Sequence, residues 1–233
     1  MKFKLFLAGV TIMALTNVFG SSRAAEIPAP QADLASDKTA KPGETRTAVV
    51  AGGCFWCVEG VFRQLKGVTN AVSGYAGGTK ETANYEVVCS GATGHAEAVK
   101  ITYDPSKITY GQLLRVLFTV IDPTTKDRQG PDSGHQYRSA IFYENNEQKQ
   151  VAEAYIKQLN AAKVYSRPIV TTVEPLKADA FYPAEDYHQN YVACHLTNGY
   201  IVQEALPKVE KVREKFKDQI KPGEETGVPD SKK

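Results

Sequence analysis

The chain has 233 residues, of which 42% are hydrophobic and 23% are charged, so it is long enough for one ordinary core and short for two full domains. Its 28 basic and 26 acidic residues give a formal net charge of +2, which argues against a strong field for nucleic acid or a membrane surface. Four cysteines are too few for a disulfide scaffold of this size.

The first 24 residues have the form of a secretory signal peptide. Two lysines precede an apolar segment at residues 5–15, and small residues then lead to a predicted cleavage point after Ala24. The apolar segment is too short to span a bilayer well, which favours a cleaved signal over an uncleaved anchor. Cleavage changes the balance to 25 basic against 26 acidic residues, because it removes Lys2, Lys4 and Arg23. We therefore expect a secreted or periplasmic protein without stable membrane association.

Two further segments lack the pattern of a packed fold. Residues 25–44 carry prolines and scattered charges without an apolar period, which predicts a linker. Residues 221–233 mix proline, glycine and charges of both signs, which predicts a disordered tail. The folded domain is accordingly predicted over residues 45–220, and we expect it to be a monomer.

Within this domain, hydrophobic patterns predict strands and helices in alternation. The strands are predicted at 47–51, 68–78, 96–103, 139–143 and 168–173. Four helices are predicted: one after the first strand, one capped by Thr109 and running to 121, and two at 145–161 and 202–220. The strands near 68 and 98 have no helix between them. We therefore predict an α+β fold, a two-layer α/β sandwich with a mixed sheet, a ferredoxin-like core and long irregular loops, rather than a doubly wound parallel sheet.

The stretch from Gly52 to Glu59 places two cysteines, Cys54 and Cys57, three positions apart. Its context predicts a strand, a glycine turn and a helix, with Cys54 at or near the first helical turn. Unpaired backbone N–H groups and the helix dipole would favour a thiolate there, so the sequence predicts a lowered pKa for Cys54. The pair could be a structural bridge, half of a metal site or a redox pair. No paired histidine motif accompanies it, which disfavours zinc, and so short a loop makes a merely structural bridge a weak interpretation.

Polar residues and tyrosines concentrate in three further loops, at 84–97, 129–139 and 186–189. Such clusters are typical of a site built on a rigid scaffold. A thiol, a carboxylic acid and tyrosine hydroxyls together suit attack on a polar, oxygen-bearing electrophile. Among the histidines, we expect His188 to act as a hydrogen-bonding residue and His95 and His135 to be exposed.

Six motifs, in this order, resemble the peptide methionine sulfoxide reductases of the A type. The resemblance extends from about residue 47 to residue 200 and is carried by Gly53-Cys54-Phe55-Trp56, Ser73-Gly74-Tyr75-Ala76-Gly77-Gly78, Tyr85-Glu86-Val87-Val88-Cys89-Ser90-Gly91, Gly94-His95-Ala96-Glu97, Gln136-Tyr137-Arg138-Ser139 and Ala184-Glu185-Asp186-Tyr187-His188-Gln189.

The resemblance implies a role for each matching residue. Cys54 would attack the sulfoxide sulfur, and Glu97, as a neutral carboxyl with a raised pKa, would donate a hydrogen bond or proton to the sulfoxide oxygen. Tyr85 and Tyr137 would bind the same oxygen through their hydroxyls. The product would be methionine, formed from the S epimer of the sulfoxide, with a sulfenic acid left on Cys54.

The substrate-binding residues follow from the same resemblance. Phe55 and Trp56 would form the wall of an apolar pocket for the methyl group on sulfur, and Asp132 would be the loop aspartate near the substrate. No metal and no organic cofactor is implied. Recycling would require a thioredoxin-like reductant.

The chain departs from the commonest form of the family at its recycling cysteines. Many members have a Gly-Tyr-Cys near the C-terminus, whereas this chain has Gly199-Tyr200-Ile201 and no cysteine after Cys194. Cys57 replaces a frequent glycine, so we predict that Cys57 resolves the sulfenic acid, with Cys194 as the rival. Two other functions remain open: a thiol–disulfide oxidoreductase acting on protein disulfides, and a module that binds oxidised methionine without turnover.

Overall fold

A computed structural model describes residues 26–222. The predicted signal peptide and nearly all of the predicted tail lie outside this part of the chain. The strands are β1 (Arg46–Gly52), β2 (Val68–Ala76), β3 (Ala96–Tyr103), β4 (Arg128–Gln129), β5 (Asp132–Ser133), β6 (Ser139–Tyr143), β7 (Thr172–Pro175) and β8 (Phe181–Pro183). The α-helices are α1 (Phe55–Arg63), α2 (Tyr85–Cys89), α3 (Tyr110–Val120), α4 (Asn146–Ala161), α5 (Tyr191–Cys194) and α6 (Leu206–Lys215). A π-helical turn, Ile201–Ala205, leads directly into α6.

The strands form a six-stranded mixed sheet in the order β7-β6-β1-β3-β2-β8. Its centre, β6-β1-β3-β2, is antiparallel throughout and is connected as β1-α1-β2-β3-α3-β6, which is the ferredoxin-like arrangement. At one edge β7 joins β6 in parallel after α4, and at the other β8 pairs antiparallel with β2. The predicted fold class, α+β with a mixed sheet, is confirmed.

The two faces of the sheet have different cores. Along β1, Ala48 and Val50 belong to the large core shared with the helices, whereas Val49 and Ala51 belong to a smaller cluster on the opposite face. This alternation follows from the period of two in a strand. Helices α1, α3, α4 and α6 contribute to the larger core, and α1 packs against β2 and β3. None of the helices between residues 26 and 222 is long and apolar enough to cross a membrane.

Local sequence explains the best-defined helix. The side chain of Thr109 accepts a hydrogen bond from the backbone of Gln112, whose own side chain accepts one from the backbone of Thr109. This capping box satisfies two N–H groups at the start of α3 and confirms the predicted cap. The predicted final helix is instead the π-helical turn followed by α6, which ends at Lys215 rather than at 220.

The segment predicted as a linker packs against the domain from residue 26 onward. Leu34 is buried in the main core, and the buried carboxylate of Asp37 binds the Arg46 guanidinium at 2.7 Å and the Tyr110 backbone N–H at 2.8 Å. Further along α3, the Gly111 N–H donates to Asp33 at 2.8 Å. A few specific contacts therefore order a stretch that has no apolar period.

Candidate active site

Cys54 lies in the turn between β1 and α1, directly before the first helical residue. Gly53 permits the turn because its φ is +87°, and a Cβ there would lie 2.5 Å from the Cβ of Gln129. The side-chain amide of Gln129 is itself fixed by the backbone of Asp122, from which it accepts at 2.8 Å and to which it donates at 3.2 Å. The loop before β6 therefore holds the cysteine turn in place.

The carboxyl group of Glu97 lies against the start of α1, on the adjacent strand β3. Glu97 is 2% exposed, and its Oε2 accepts a hydrogen bond of 3.0 Å from the Phe55 backbone N–H. Burial raises the pKa of Glu97 to about 8, with smaller contributions from Asp132 and Cys57, although the Phe55 N–H opposes the rise. The carboxyl is thus mainly neutral at pH 7 and can donate a proton, as the resemblance implies.

The two thiols of the motif are both reduced and buried, with 8% exposure for Cys54 and 2% for Cys57. The predicted lowering of the pKa of Cys54 is wrong. Burial raises the pKa of Cys54 well above its ordinary value, and the neighbouring Cys57 and Glu97 raise it further. The Phe55 N–H donates to Glu97, so this helix-start donor is already used.

The pKa of Cys57, by contrast, is lowered. A hydrogen bond from Cys54 is the main cause, and the Lys208 ammonium and the Tyr200 hydroxyl add to it, while burial opposes it. Negative charge in this coupled pair therefore resides on Cys57 more readily than on Cys54.

Tyr85 and Tyr137 are both half-buried, and burial raises the pKa of each hydroxyl. Both lie near enough to Glu97 and Cys54 for those groups to raise the pKa values further. Their hydroxyls therefore stay protonated at neutral pH and can act as hydrogen-bond donors. Cys89, half-buried in α2, forms a hydrogen bond with Tyr85.

The last of the six motifs positions Tyr85. Glu185 accepts a hydrogen bond from the Tyr85 backbone N–H at 3.0 Å and another from the Tyr75 hydroxyl at 2.8 Å. Four residues on, the side chain of Gln189 binds both the N–H and the carbonyl of Ser73, each at 3.0 Å. This motif thus ties the short helix α2 and strand β2 together.

Phe55 and Trp56 lie in a cluster of aromatic rings. Phe55 is fully buried, whereas Trp56 is partly exposed and stacks on Tyr191 with a centroid separation of 3.8 Å. The Trp56 indole N–H donates to Nδ1 of His188 at 3.1 Å, which confirms the predicted hydrogen-bonding role of His188. Because Nδ1 accepts this bond, the neutral imidazole carries its proton on Nε2.

The other two histidine predictions have different outcomes. His135 is exposed, as predicted. The prediction for His95 is wrong, since its side chain is fully buried and accepts from the Gly78 N–H at 3.2 Å, while Nε2 lies 2.9 Å from the Thr79 carbonyl. The glycine-rich loop after β2 closes over the ring, which the sequence pattern did not reveal.

Sequence reasoning missed two residues beside Cys57. The Tyr200 hydroxyl lies 4.0 Å from the Cys57 sulfur and donates to Asp132 at 2.5 Å. The Lys208 ammonium lies 3.8 Å from the same sulfur. The Gly-Tyr pair at 199–200 was a usable signal for Tyr200, whereas nothing in the sequence marked Lys208 within an amphipathic helix.

The remaining thiol, Cys194, is exposed at the end of α5. Helix α5 packs on α1, where Val192 lies against Gly60 so closely that a Cβ on the glycine would be 3.0 Å from it. In the described part of the chain, no three His, Cys, Asp or Glu side chains are grouped so as to hold a metal ion.

Two neighbouring thiols, next to a buried carboxyl with a raised pKa and two tyrosine hydroxyls, are the groups that an oxidoreductase acting through thiols would need. The family model described as peptide methionine sulfoxide reductase matches residues 46–220. The chain therefore belongs to the peptide methionine sulfoxide reductases, in their MsrA branch, and is an enzyme of the oxidoreductase class.

Two relatives illustrate the similarity. One is named peptide methionine sulfoxide reductase MsrA 2 of Mesorhizobium japonicum, and it is 58% identical over 181 residues, covering 77% of this chain and 91% of that protein. Another is named peptide methionine sulfoxide reductase MsrA of Picrophilus torridus, and it is 55% identical over 167 residues, covering 72% and 93%.

Two solved structures share the fold. Mxr1 from Saccharomyces cerevisiae in reduced form has a TM-score of 0.60 and 32% identity, covering 68% of this chain and 90% of that one. Methionine sulfoxide reductase A of Corynebacterium diphtheriae has a TM-score of 0.57 and 34% identity, covering 66% and 77%.

Proposed function

We propose that this enzyme reduces methionine-S-sulfoxide, free or in proteins, to methionine, with Cys54 as nucleophile and Glu97 as acid. The observation that carries the proposal is the state of Glu97. Its carboxyl is buried beside the thiol at the start of α1, and its pKa of about 8 keeps it protonated at neutral pH. A sulfoxide becomes electrophilic at sulfur when its oxygen accepts a proton, so an acid and a thiol must act on neighbouring atoms.

In the reduction step, the Cys54 sulfur attacks the sulfoxide sulfur while Glu97 protonates the oxygen. Tyr85 and Tyr137 hold that oxygen with hydrogen bonds that strengthen as charge develops on it. The oxygen then moves to the Cys54 sulfur: a Cys54 sulfur–oxygen bond forms, while the substrate sulfur–oxygen bond and the sulfur–sulfur bond made by the attack break. Methionine leaves, and Cys54 is left as a sulfenic acid. The thiol proton of Cys54 replaces the one that Glu97 supplied, so atoms and charges balance.

The aromatic cluster supplies a binding surface for the substrate methyl group. Trp56 is partly exposed and fixed on both sides by the stack on Tyr191 and the hydrogen bond to His188. Phe55 supports it from the buried side, and Asp132 approaches from the hairpin of β4 and β5. A rigid apolar wall beside polar donors would select one sulfoxide epimer by fixing which way the oxygen points, and the resemblance to the family implies that this is the S epimer.

The second thiol of the motif, Cys57, would begin the return of Cys54 to its reduced state. Cys57 would condense with the sulfenic acid, so that a Cys54–Cys57 disulfide forms and the oxygen leaves as water. An external thioredoxin-like dithiol would then reduce this disulfide, with no metal and no organic cofactor required. Because residues 1–24 have the form of a signal peptide, we place the enzyme in an exported compartment, secreted or periplasmic, as a monomer that repairs oxidised proteins.

The test compares three substrates with one enzyme preparation: methionine-S-sulfoxide, methionine-R-sulfoxide and an insulin-type disulfide. We expect methionine to be released from the S epimer and neither of the other substrates to turn over at a comparable rate. No reduction of the S epimer would overturn the proposal, and faster reduction of insulin would favour a thiol–disulfide oxidoreductase.

The Cys54→Ser variant separates catalysis from binding. It should release no methionine, while the wild type releases one equivalent per chain without reductant. A wild type that binds the sulfoxide and releases no methionine would instead be a binding module.

A further inference from the structure

Cys57 is the third residue of α1 and points away from solvent toward the C-terminal helix α6. The charged and titratable groups that face its sulfur come from five parts of the chain. They are Cys54 before α1, Glu97 on β3, Asp132 on β5, Tyr200 before the π-helical turn and Lys208 on α6. Lys208 supplies the cation among these five groups.

Contacts with the preceding turn fix the ammonium of Lys208 in place. Its Nζ donates to the Glu204 backbone carbonyl at 2.8 Å and lies 3.5 Å from the Glu204 carboxylate. Glu204 belongs to the π-helical turn, and its carboxylate packs closely against Gly130, between β4 and β5. A Cβ added to this glycine would lie only 3.1 Å from the carboxylate oxygen. The lysine side chain is 20% exposed, so water screens it only in part. From this position Nζ reaches the Cys57 sulfur at 3.8 Å.

This arrangement bears on the condensation step, because a thiolate and not a thiol attacks a sulfenic acid. The lowered pKa of Cys57 agrees with the geometry. Its largest cause is the hydrogen bond from Cys54, and Lys208 and Tyr200 lower it further, against burial and Asp132. Once Cys54 is a sulfenic acid, its thiol no longer donates that bond, while the Lys208 ammonium remains a fixed positive charge beside the Cys57 sulfur.

We propose that Lys208 is a catalytic residue of the recycling step, whose ammonium holds Cys57 as the thiolate that attacks the Cys54 sulfenic acid. The Cys57 sulfur forms the disulfide bond, the sulfur–oxygen bond of the sulfenic acid breaks, and the oxygen leaves as hydroxide that is protonated to water. Sulfur is thereby oxidised on Cys57 and reduced on Cys54, with no further oxidant. This inference rests on the proposed function, since it assumes that a sulfenic acid forms on Cys54.

The first experiment needs no sulfoxide chemistry. In full-length Cys54→Ser protein, alkylation of Cys57 by iodoacetamide is followed against pH by mass spectrometry of its peptide. Adding Lys208→Met should move the midpoint to higher pH by roughly one unit, because the nearby opposite charge is lost. Lys208→Arg should restore most of the shift.

Lys211→Met is the matched control, because Lys211 lies on the same helix and lines a separate cavity of about 260 Å³ with Arg115 and Phe216. It should leave the midpoint unchanged. An unshifted midpoint in the Lys208→Met protein would overturn the proposal. Lys208→Gln provides a second neutral variant should the methionine variant be unstable.

The second experiment follows one turnover of methionine-S-sulfoxide in proteins that retain all four cysteines. At pH 7, Lys208→Met should slow formation of the Cys54–Cys57 disulfide by about threefold. A rise of one pKa unit leaves about tenfold less thiolate, and the remaining thiolate is about threefold more nucleophilic. The slowing should disappear or reverse at high pH, where Cys57 is a thiolate in both proteins and the thiolate of higher pKa in the variant is the better nucleophile. An equal rate at pH 7, or an equal slowing at every pH, would overturn the proposal.

The two experiments also separate this inference from the proposed function. If the wild type released no methionine, the proposed function would fail, yet the alkylation profile would still report whether Lys208 stabilises the Cys57 thiolate. If methionine appeared and the profile did not shift, only the role of Lys208 would be lost.

Discussion

Two clusters of buried side chains lie near Cys54, and they favour opposite protonation states. The acid cluster consists of Glu97, Tyr85 and Tyr137, and burial without a cationic partner in the described chain keeps these groups protonated. The recycling cluster consists of Cys57, Tyr200, Asp132 and Lys208, and its ammonium favours a negative sulfur. The comparison teaches that burial alone favours protonated groups, whereas a hydrogen bond from Cys54 and a nearby ammonium favour negative charge on the Cys57 sulfur.

The largest expected effect breaks the acid cluster. Glu97→Gln can still accept the hydrogen bond from the Phe55 N–H but has no acid proton, so kcat/KM for the S epimer should fall by about 10²–10⁴-fold. Glu86→Gln, on the exposed face of α2, is the control and should keep the wild-type value. A Glu97→Gln protein with wild-type kcat/KM would remove Glu97 from the chemistry.

The same variant tests the protonation of Glu97 through stability. Because the folded-state pKa is raised from 4.5 to about 8, the unfolded chain releases a proton that the folded chain keeps. Wild-type stability should therefore fall as the pH rises through this window, by about 3–5 kcal/mol relative to Glu97→Gln. Urea unfolding of both proteins at pH 4.5 and pH 8.5 measures this difference. A difference that does not change with pH would mean that Glu97 has an ordinary pKa.

A smaller effect is expected from the hydroxyls of the acid cluster. Tyr85→Phe and Tyr137→Phe should each lower kcat for the S epimer by about 10–150-fold, which corresponds to the value of about 1.5–3 kcal/mol for one hydrogen bond to a charged group. Tyr143→Phe, at the other end of β6, is the matched control. If both site variants kept wild-type kcat, the tyrosines would not contact the sulfoxide oxygen.

The smallest predicted effect concerns the aromatic wall. Trp56→Phe removes the indole donor to His188 and part of the stack on Tyr191, which together should cost about 1–2 kcal/mol of substrate binding. We therefore expect KM to rise by about 5–30-fold with a smaller change in kcat. Phe216→Leu is the control, because this aromatic residue lines the separate cavity that also includes Lys211. It should leave KM unchanged. A fall in kcat alone would assign Trp56 a role in the reaction instead.

Much of the fold could be predicted because its strands and longer helices carry clear periods. The mostly apolar run of β1 and the capping residue Thr109 both specified local structure without reference to the rest of the chain. Helix α2 could not be found this way. It has five residues, and Glu185, a hundred residues away, binds the backbone of Tyr85 at its start.

The site was predicted where a motif marked it and missed where only the fold brings residues together. Cys54, Glu97 and the two tyrosines were named from motifs, and the structure places them in one cluster. Lys208 comes from a helix with ordinary amphipathic composition. The pKa of Cys54 was predicted in the wrong direction mainly because the thiol is buried, which its local sequence does not show. In addition, the helix-start N–H of Phe55 donates to Glu97.

The central claim is that Cys54 reduces the sulfoxide and Cys57 resolves it, and one mass-spectrometric map tests both parts. Full-length enzyme is given methionine-S-sulfoxide without reductant, quenched with a thiol-blocking reagent and digested. We predict one methionine per chain and a Cys54–Cys57 disulfide. Cys89 and Cys194 should remain free thiols and should therefore carry the blocking reagent. A disulfide between Cys54 and Cys194, or methionine released with Cys57 still free, would contradict the account.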